Sequence, residues 1–501
     1  MVDKDQFVAL TGRLVNGLLR EAIGYSVERE IPYYRAIAGF MVEAPMLWIR
    51  HSRFPILTIA YDQKSPDVLA DVLKQLEMAK TTEYFALLIV VPTRDGTVNE
   101  AEELRHVISN SAYRHDFVVL DREHLSSIIV KGSSQRLVEI ILEQGIELSS
   151  LSPYVLSGPV PGKMFFGREK EVKTISQKIQ TGDYAVVGGR RIGKSSILMN
   201  LLRLLSSDPR YQAHYMNCED KFDYEDFIQA LGDDFYLPVD GADPRVFRRL
   251  VTDLKKRPGS RQMIFLLDEV DGLLDYDSRC QPAGALFKTF RALSHEGVCR
   301  FVFSGSRTLF KHLRDPQSPF FNFCTYMMLK PLEEKSVAEM VRMPMRQLGI
   351  ELPEEDALIQ RMVEITSCHP NLTQWLCDRL LTQIQDHRLC VRDLDEVAGS
   401  FDFREHFVQT AWGEAAALEK LISLIMEGPR FETLELLHRL GQYGIQAKDR
   451  IRQSLDMLQL GALLEREGES YYFALSTFPA MVRRLEDVSL QIDGLLERAR
   501  N

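Results

Sequence analysis

Apolar and polar positions change period several times along this chain. Val68, Leu69, Val72, Leu76 and Ala79 share one helical face in residues 65–80, and helical spacing returns in 100–110 and 135–144. Between these lie runs of strand type. Residues 46–51 and 55–61 flank Ser52-Arg53-Phe54 and predict a hairpin, 84–91 predicts a continuous buried strand, and 116–120 a further one. The first 147 residues therefore predict an α/β domain with mixed pairing. Residues 148–162 carry three prolines, two glycines and four serines without periodicity, which marks a linker. Helices then alternate with apolar strands at 185–187, 214–216, 263–267 and 300–303, the rhythm of a parallel sheet in a region 163–332. From 333 to 408 the pattern is almost wholly helical. In 409–486, helices at 415–426, 431–440 and 447–460 precede a short hairpin at 461–465 and 471–475, the order of a winged helix, and 487–501 predicts a helical tail.

Length and charge narrow the classes. A chain of 501 residues predicts about three domains. A net charge of −10 excludes coating nucleic acid or an anionic membrane by bulk charge, though not a local basic face. The start lacks a leader pattern and the longest apolar run, 84–92, is too short for a bilayer, so a cytoplasmic protein without membrane contact is expected. Seven cysteines with no CxxC or zinc spacing predict reduced thiols and no metal framework. The histidines His51, His106, His115, His124 and His369 show no HxxxH or HExxH spacing.

One motif carries chemistry. Gly188-Gly189-Arg190-Arg191-Ile192-Gly193-Lys194-Ser195 fits GxxxxGK[ST] after a strand and before a helix that opens at Ser196. Glycines let such a loop turn its N–H groups toward phosphate oxygens, helped by the positive helix end. Lys194 is placed for the β- and γ-phosphates and the Ser195 hydroxyl for Mg²⁺. The strand 263–267 runs into Asp268-Glu269, roughly 75 residues later. That predicts Asp268 as the Mg²⁺ carboxylate and Glu269 as the base for an attacking water. A third strand ends in Ser304-Gly305-Ser306-Arg307, where Ser304 or Ser306 is the candidate γ-phosphate or water contact and Arg307 the candidate arginine facing phosphate in cis or in a neighbouring subunit.

Taken with Phe165-Phe166-Gly167-Arg168-Glu169 and Cys368-His369-Pro370, these motifs resemble those of STAND and archaeal-type AAA+ ATPases, relatives of origin-recognition initiators and NLR-type switches. The resemblance covers about residues 160–485. It implies a P-loop ATPase core at 163–332, a helical lid at 333–408 and a winged helix at 409–486, with ATP or ADP and Mg²⁺ as ligands. It also implies base-side roles for Gly167 and Arg168 and a nucleotide contact at Pro370. Two departures stand out: the lid reads Cys-His-Pro without the family's glycine, and Ser318-Pro319-Phe320-Phe321-Asn322-Phe323 lacks the arginine found in many archaeal relatives. Slow hydrolysis, with Arg307 as substitute, is the expectation.

Residues 1–147 resemble the PD-(D/E)xK nuclease-like fold. Pro45-Met46 stands where that family has Pro-Asp, and Ala60-Tyr61-Asp62 where it has Glu-x-Lys, which implies an inactive domain. A shifted alignment with Glu43 and Asp62-Gln63-Lys64 restores the residue types but carries Lys64 past the strand. The leading expectation is an ATP-binding, slowly hydrolysing switch that moves the winged helix and the N-terminal domain. A DNA-binding initiator or regulator, with Lys448, Arg450 and Arg452 at the start of the recognition helix, is the alternative, and an ATP-gated nuclease a third. The DNA reading is tempered by nine Lys or Arg against ten Asp or Glu in residues 412–485. A homo-oligomer, or a partner protein on the N-terminal domain, is also compatible with the pattern.

Overall fold

The computed structural model describes every residue except 1–3, 35–36, 46, 48, 50–51, 61–67, 79–84, 92–99, 110–115, 133, 258, 385, 427, 484–487 and 501. The chain divides into two compact units. The first comprises Met1–Tyr154 with Val341–Glu355 and Cys377–Cys390, and the second Val155–Met340, Asp356–Leu376 and Val391–Asn501.

The first unit holds a five-stranded sheet in the order β1 (Ser26–Tyr34), β2 (Ile37–Glu43), β3 (Arg53–Ala60), β4 (Phe85–Val91) and β5 (Asp116–Leu120). β1, β2 and β3 pair antiparallel, whereas β3, β4 and β5 are parallel. The mixed pairing expected from sequence is present, but the hairpin is shifted. β3 pairs with Ile37–Glu43, and residues 44–52 are the connection, closed by the Ala44 N–H donating to Ser52 O at 2.7 Å. Leu47 and Ile49 are apolar because they are buried, not because they lie in a ladder. Glu43 ends β2, while Met46, Tyr61, Asp62, Gln63 and Lys64 lie outside the described residues.

The second unit is built on a parallel sheet in the order β10 (Cys324–Met328), β6 (Asp183–Val187), β9 (Cys299–Gly305), β8 (Gln262–Asp268) and β7 (Tyr211–Asn217). β6, which feeds the P-loop, is interior between β10 and β9, and β8 follows one strand further on, beyond β9. Ligands in open α/β sheets bind at the carboxyl ends of the strands. The strands read as apolar runs because both faces are covered. Phe265, Phe301 and Phe303 face one helical layer, where Phe301 and Phe303 stack at 5.5 Å, and Ile264, Leu266 and Val302 face the other. Each fully buried large side chain contributes about 1.5–3 kcal/mol, so this double-sided core fixes the strand ends that carry the polar residues.

Five helices follow between Glu334 and Trp412. Helices Ala417–Ile425, Thr433–Gln442 and Lys448–Leu460 then precede a three-stranded sheet in which β11 (Arg430–Glu432) and β12 (Leu464–Glu467) flank β13 (Ser470–Phe473). Helices Phe478–Arg483 and Val488–Arg500 end the chain. Among the described residues no helix is long and apolar enough to cross a membrane.

Candidate functional site: a phosphate-binding cleft

The loop after β6 turns into the helix Lys194–Ser206 through Gly193, whose φ of 106° is open to glycine and strained for other residues. Arg191 also sits at positive φ, 58°, a local strain of the kind held at binding sites. Lys194 is only 4 % exposed. Its Nζ donates to Gly189 O at 3.2 Å, Gly188 O at 3.4 Å and Ser306 Oγ at 3.4 Å, and lies 3.4 Å from Glu269 Oε1.

Asp268 ends β8 and is buried. One carboxylate oxygen accepts the Ser304 hydroxyl and the other the Tyr215 hydroxyl at 2.9 Å, so β9 and β7 hold it from both sides. Glu269 follows at φ 50°, which swings its side chain off the strand direction toward Lys194. Burial raises its pKa and Asp268 and Asp271 add to the rise, while Lys194 opposes it. Asp271 caps the helix Arg307–Arg314 by accepting the N–H groups of Ser306 and Thr308, both at 2.7 Å.

Arg168 is buried and anchors one wall of the cleft, where the resemblance leads to the expectation of a base-side residue. It donates to Lys330 O and to Ile192 O at 3.3 Å and pairs with Glu171 at 3.3 Å. Burial lowers its pKa, partly offset by Glu171. Gly167 supports this turn at φ 71°, where a Cβ would strike Ser336. In the turn before Pro370, Ser367 and Cys368 adopt φ of 45° and 60°, so left-handed backbone is present there without a glycine. His369 is buried, its pKa lowered to about 3 by burial and by Arg168, His406 and Arg191. Pro370 starts the helix Pro370–Gln383, where a missing N–H costs nothing.

These groups enclose a cleft of about 400 Å³. Arg190, Arg191, Ile192, Gly193, Lys194, Ser195 and Ser196 line one side; Asp268 and Glu269 another; Phe165, Phe166 and Arg168 a third; Pro370, Asn371 and Gln374 a fourth. Four cationic residues line it, and Arg190 depresses the pKa of Arg191 after the larger effect of burial. Such crowding of like charge is relieved by a polyanion. The Ser195 hydroxyl and Asp268 carboxylate are hard oxygen donors on the same cleft, a set that fits Mg²⁺.

Several lining residues were not singled out from sequence. Val155–Val160, within the segment read as a linker, lies along the cleft: Val155 N–H donates to Gln374 Oε1 at 2.9 Å, Leu156 O accepts from Asn371 at 3.2 Å and Val160 N–H donates to Ser196 Oγ at 3.1 Å. Loop composition hid this role, because a strap held by backbone groups has no periodicity. Tyr215 and Asn217 alternate along β7, a signal that strand spacing offered.

Other predicted residues stand elsewhere. Gly188 and Gly189 line a smaller cavity on the opposite side of the loop, with Ser306, Arg307, Glu419 and Gly461. Ser304 is fully buried beneath Asp268. Arg307, expected to face phosphate, does not line the cleft: its guanidinium binds Glu419 through two hydrogen bonds of 2.5 and 2.6 Å. The carboxylate of a helix 112 residues away outcompetes open solvent for the arginine, because it is itself 4 % exposed.

Comparison with known proteins places this geometry. Residues 180–313 match the family described as an AAA domain. No curated protein matches the chain. Among solved structures, it is similar to a Walker-type ATPase of Pyrococcus abyssi at 18% identity, covering 66% of this chain and 99% of that one with a TM-score of 0.46. It is similar also to the ORC2 protein of Aeropyrum pernix in its ADPNP-ADP complexes, at 13% identity over 66% and 96% with a TM-score of 0.48. A third is the ORC1 protein of Aeropyrum pernix in complex with DNA, at 14% identity over 65% and 97% with a TM-score of 0.39. The matched segment spans β6, the P-loop, β8 with Asp268 and Glu269, and β9, so the strand ends that line one side of the candidate cleft lie within the part of the chain similar to an AAA domain.

Proposed function

We propose that the chain is an ATP-dependent molecular switch of the STAND or AAA+ kind, in which residues 409–486 act as a winged helix that reports nucleotide state. The observation that carries this is the placing of Lys194, Ser195, Asp268 and Glu269 on one cleft, with C-terminal helices seated against the reverse of the same P-loop. Phosphate oxygens take the Lys194 ammonium, and the four cationic side chains bind and orient the polyanion. Ser195 and Asp268 would hold Mg²⁺, which when bound would supply positive charge to offset that of the phosphates. Loss of the Lys194 partnership frees Glu269 to accept a proton from the attacking water, and its raised pKa suits that task. With Arg307 held by Glu419, hydrolysis is slow and the bound state persists. The first unit is the sensor or effector that the switch controls. Mg²⁺-dependent ATP binding, measured by calorimetry on the wild type and Lys194→Ala, tests this reading; equal affinity in both sinks it.

A second reading, a DNA-binding initiator or regulator, is favoured by one observation: Lys448, Arg450 and Arg452 are exposed at the N-terminal turn of the helix Lys448–Leu460. Arg450 is partly committed, since its Nη2 donates to Ala499 O at 3.2 Å. Duplex binding whose affinity falls with salt and weakens on Lys448→Ala and Arg452→Ala supports it, and binding unaffected by either removes it.

A further inference from the structure

We propose that the place where four helices of the second unit meet is a binding site for a small phosphate-bearing anion, separate from the P-loop cleft. Residues of the helices Arg307–Arg314, Ala417–Ile425, Lys448–Leu460 and Val488–Arg500 line a cavity of about 220 Å³. That is below the roughly 300–1,000 Å³ of sites for larger ligands, and it suits one or two phosphoryl groups.

Charge selects the occupant. Four cations line the cavity, Arg307, Lys311, Arg450 and Arg498, against a single carboxylate, Glu419. Glu419 is already neutralised by its two hydrogen bonds from Arg307. Lys311, Arg450 and Arg498 have no carboxylate partner among the described residues, and Arg450 spends only Nη2, on Ala499 O at 3.2 Å. In a chain of net charge −10, three such cations around one small cavity concentrate positive potential, and an anion of two or more charges gains most from it. Arginine forks in particular match the oxygens of a phosphate.

Two further sets of donors border the same space. Ser454 lines the cavity at 7 % exposure, and its hydroxyl is neither hydrogen-bonded to another described residue nor sealed off from solvent. A hydroxyl so placed calls for a partner. Ala417 and Leu418 lie in the first turn of their helix, whose N-cap, Ala416, has no polar side chain to take the first N–H groups. Those N–H groups and the positive end of the helix add to the attraction for phosphate.

Inorganic pyrophosphate is the probe, titrated by calorimetry without Mg²⁺ into the full chain carrying Lys194→Ala, so that the P-loop cleft does not dominate the signal. One saturable site is expected to remain. Lys311→Met and Arg498→Met should each weaken it roughly tenfold, since each removes a charge-assisted contact, and Ser454→Ala roughly threefold. Lys448→Met removes a cation of the same helix that does not line the cavity, and is expected to leave the affinity unchanged. Absence of the saturable site, or equal weakening by Lys448→Met, overturns the proposal. Displacement of pyrophosphate by duplex DNA with the same dependence on Lys311 and Arg498 also overturns it, because the occupant is then a backbone phosphate. With Lys194 replaced throughout, each result is read independently of ATP binding in the P-loop cleft.

Discussion

Arg307 and Glu419 are 112 residues apart in the chain, and their side chains form a two-pronged ion pair with N to O distances of 2.5 and 2.6 Å. Arg307 opens the helix that follows β9, and Glu419 lies in the first turn of the helix Ala417–Ile425. The pair therefore ties the strand end beside the P-loop to the C-terminal helices. Arg307→Ala leaves the Glu419 carboxylate buried and unpaired except for the Ala416 N–H at 2.9 Å. The expected cost is roughly 3 kcal/mol, the lower end for breaking a buried pair. Hydrogen exchange in residues 417–425 should rise, while Arg307→Met with Glu419→Leu should recover much of the loss. Unchanged exchange in the single variant would contradict the tie.

Gly189 makes a second connection on the same side. A Cβ at this position would lie 3.0 Å from Gly461 Cα and 3.1 Å from Gly461 O, backbone atoms that cannot rotate away. Gly189→Ala should therefore displace the turn after Leu460 and expose it to proteolysis in the absence of ATP. A digestion pattern like that of the wild type would show that the approach is not required.

Lys194→Ala should weaken ATP binding at least about tenfold, since a lost charge-assisted contact is worth roughly 1.5–3 kcal/mol. Calorimetry measures it directly. Lys194→Arg is expected to recover little, because the two loop carbonyls that hold the buried ammonium suit a compact charge and not a planar fork.

His369 makes an acid-side prediction. Its folded pKa, about 3, lies below the ordinary histidine value of 6.5, so between those values the unfolded chain binds the extra proton. Stability from this group is complete above about pH 6.5 and is lost as pH falls toward 3. His214 and His312 are shifted the same way by burial, so His369→Asn should reduce but not abolish the fall in Tm between pH 7 and 5. A Tm profile parallel to that of the wild type would contradict the assignment.

The P-loop edge was legible because each motif sits at a strand end, where an apolar run turns polar within one residue. Gly193-Lys194-Ser195 and Leu267-Asp268-Glu269 announce themselves in this way. Edge strands were harder. Ser26–Tyr34 mixes Glu28, Arg29 and Glu30 with apolar residues, and Cys324–Met328 is only partly buried, so neither shows a clean period of two or a buried run. Residues 46–51 misled in the opposite sense, since Leu47 and Ile49 are buried in a loop. Long-range partners such as Glu419 for Arg307, and Gln374 for Val155, carry no local signature, because hydrogen-bond geometry is set by tertiary packing.

The central claim is that the cleft binds ATP and that Glu269 turns it over. Steady-state hydrolysis and ATP binding by the wild type and Glu269→Gln, with Mg²⁺ and with or without duplex DNA, test it most directly. The account predicts retained binding in Glu269→Gln with turnover reduced by about 10²–10⁴-fold, the range for loss of a general base. It also predicts a wild-type acidic limb above the ordinary glutamate range, because Glu269 must be ionised and burial raises its pKa. Equal turnover in both proteins, or no Mg²⁺-dependent binding in either, would contradict it.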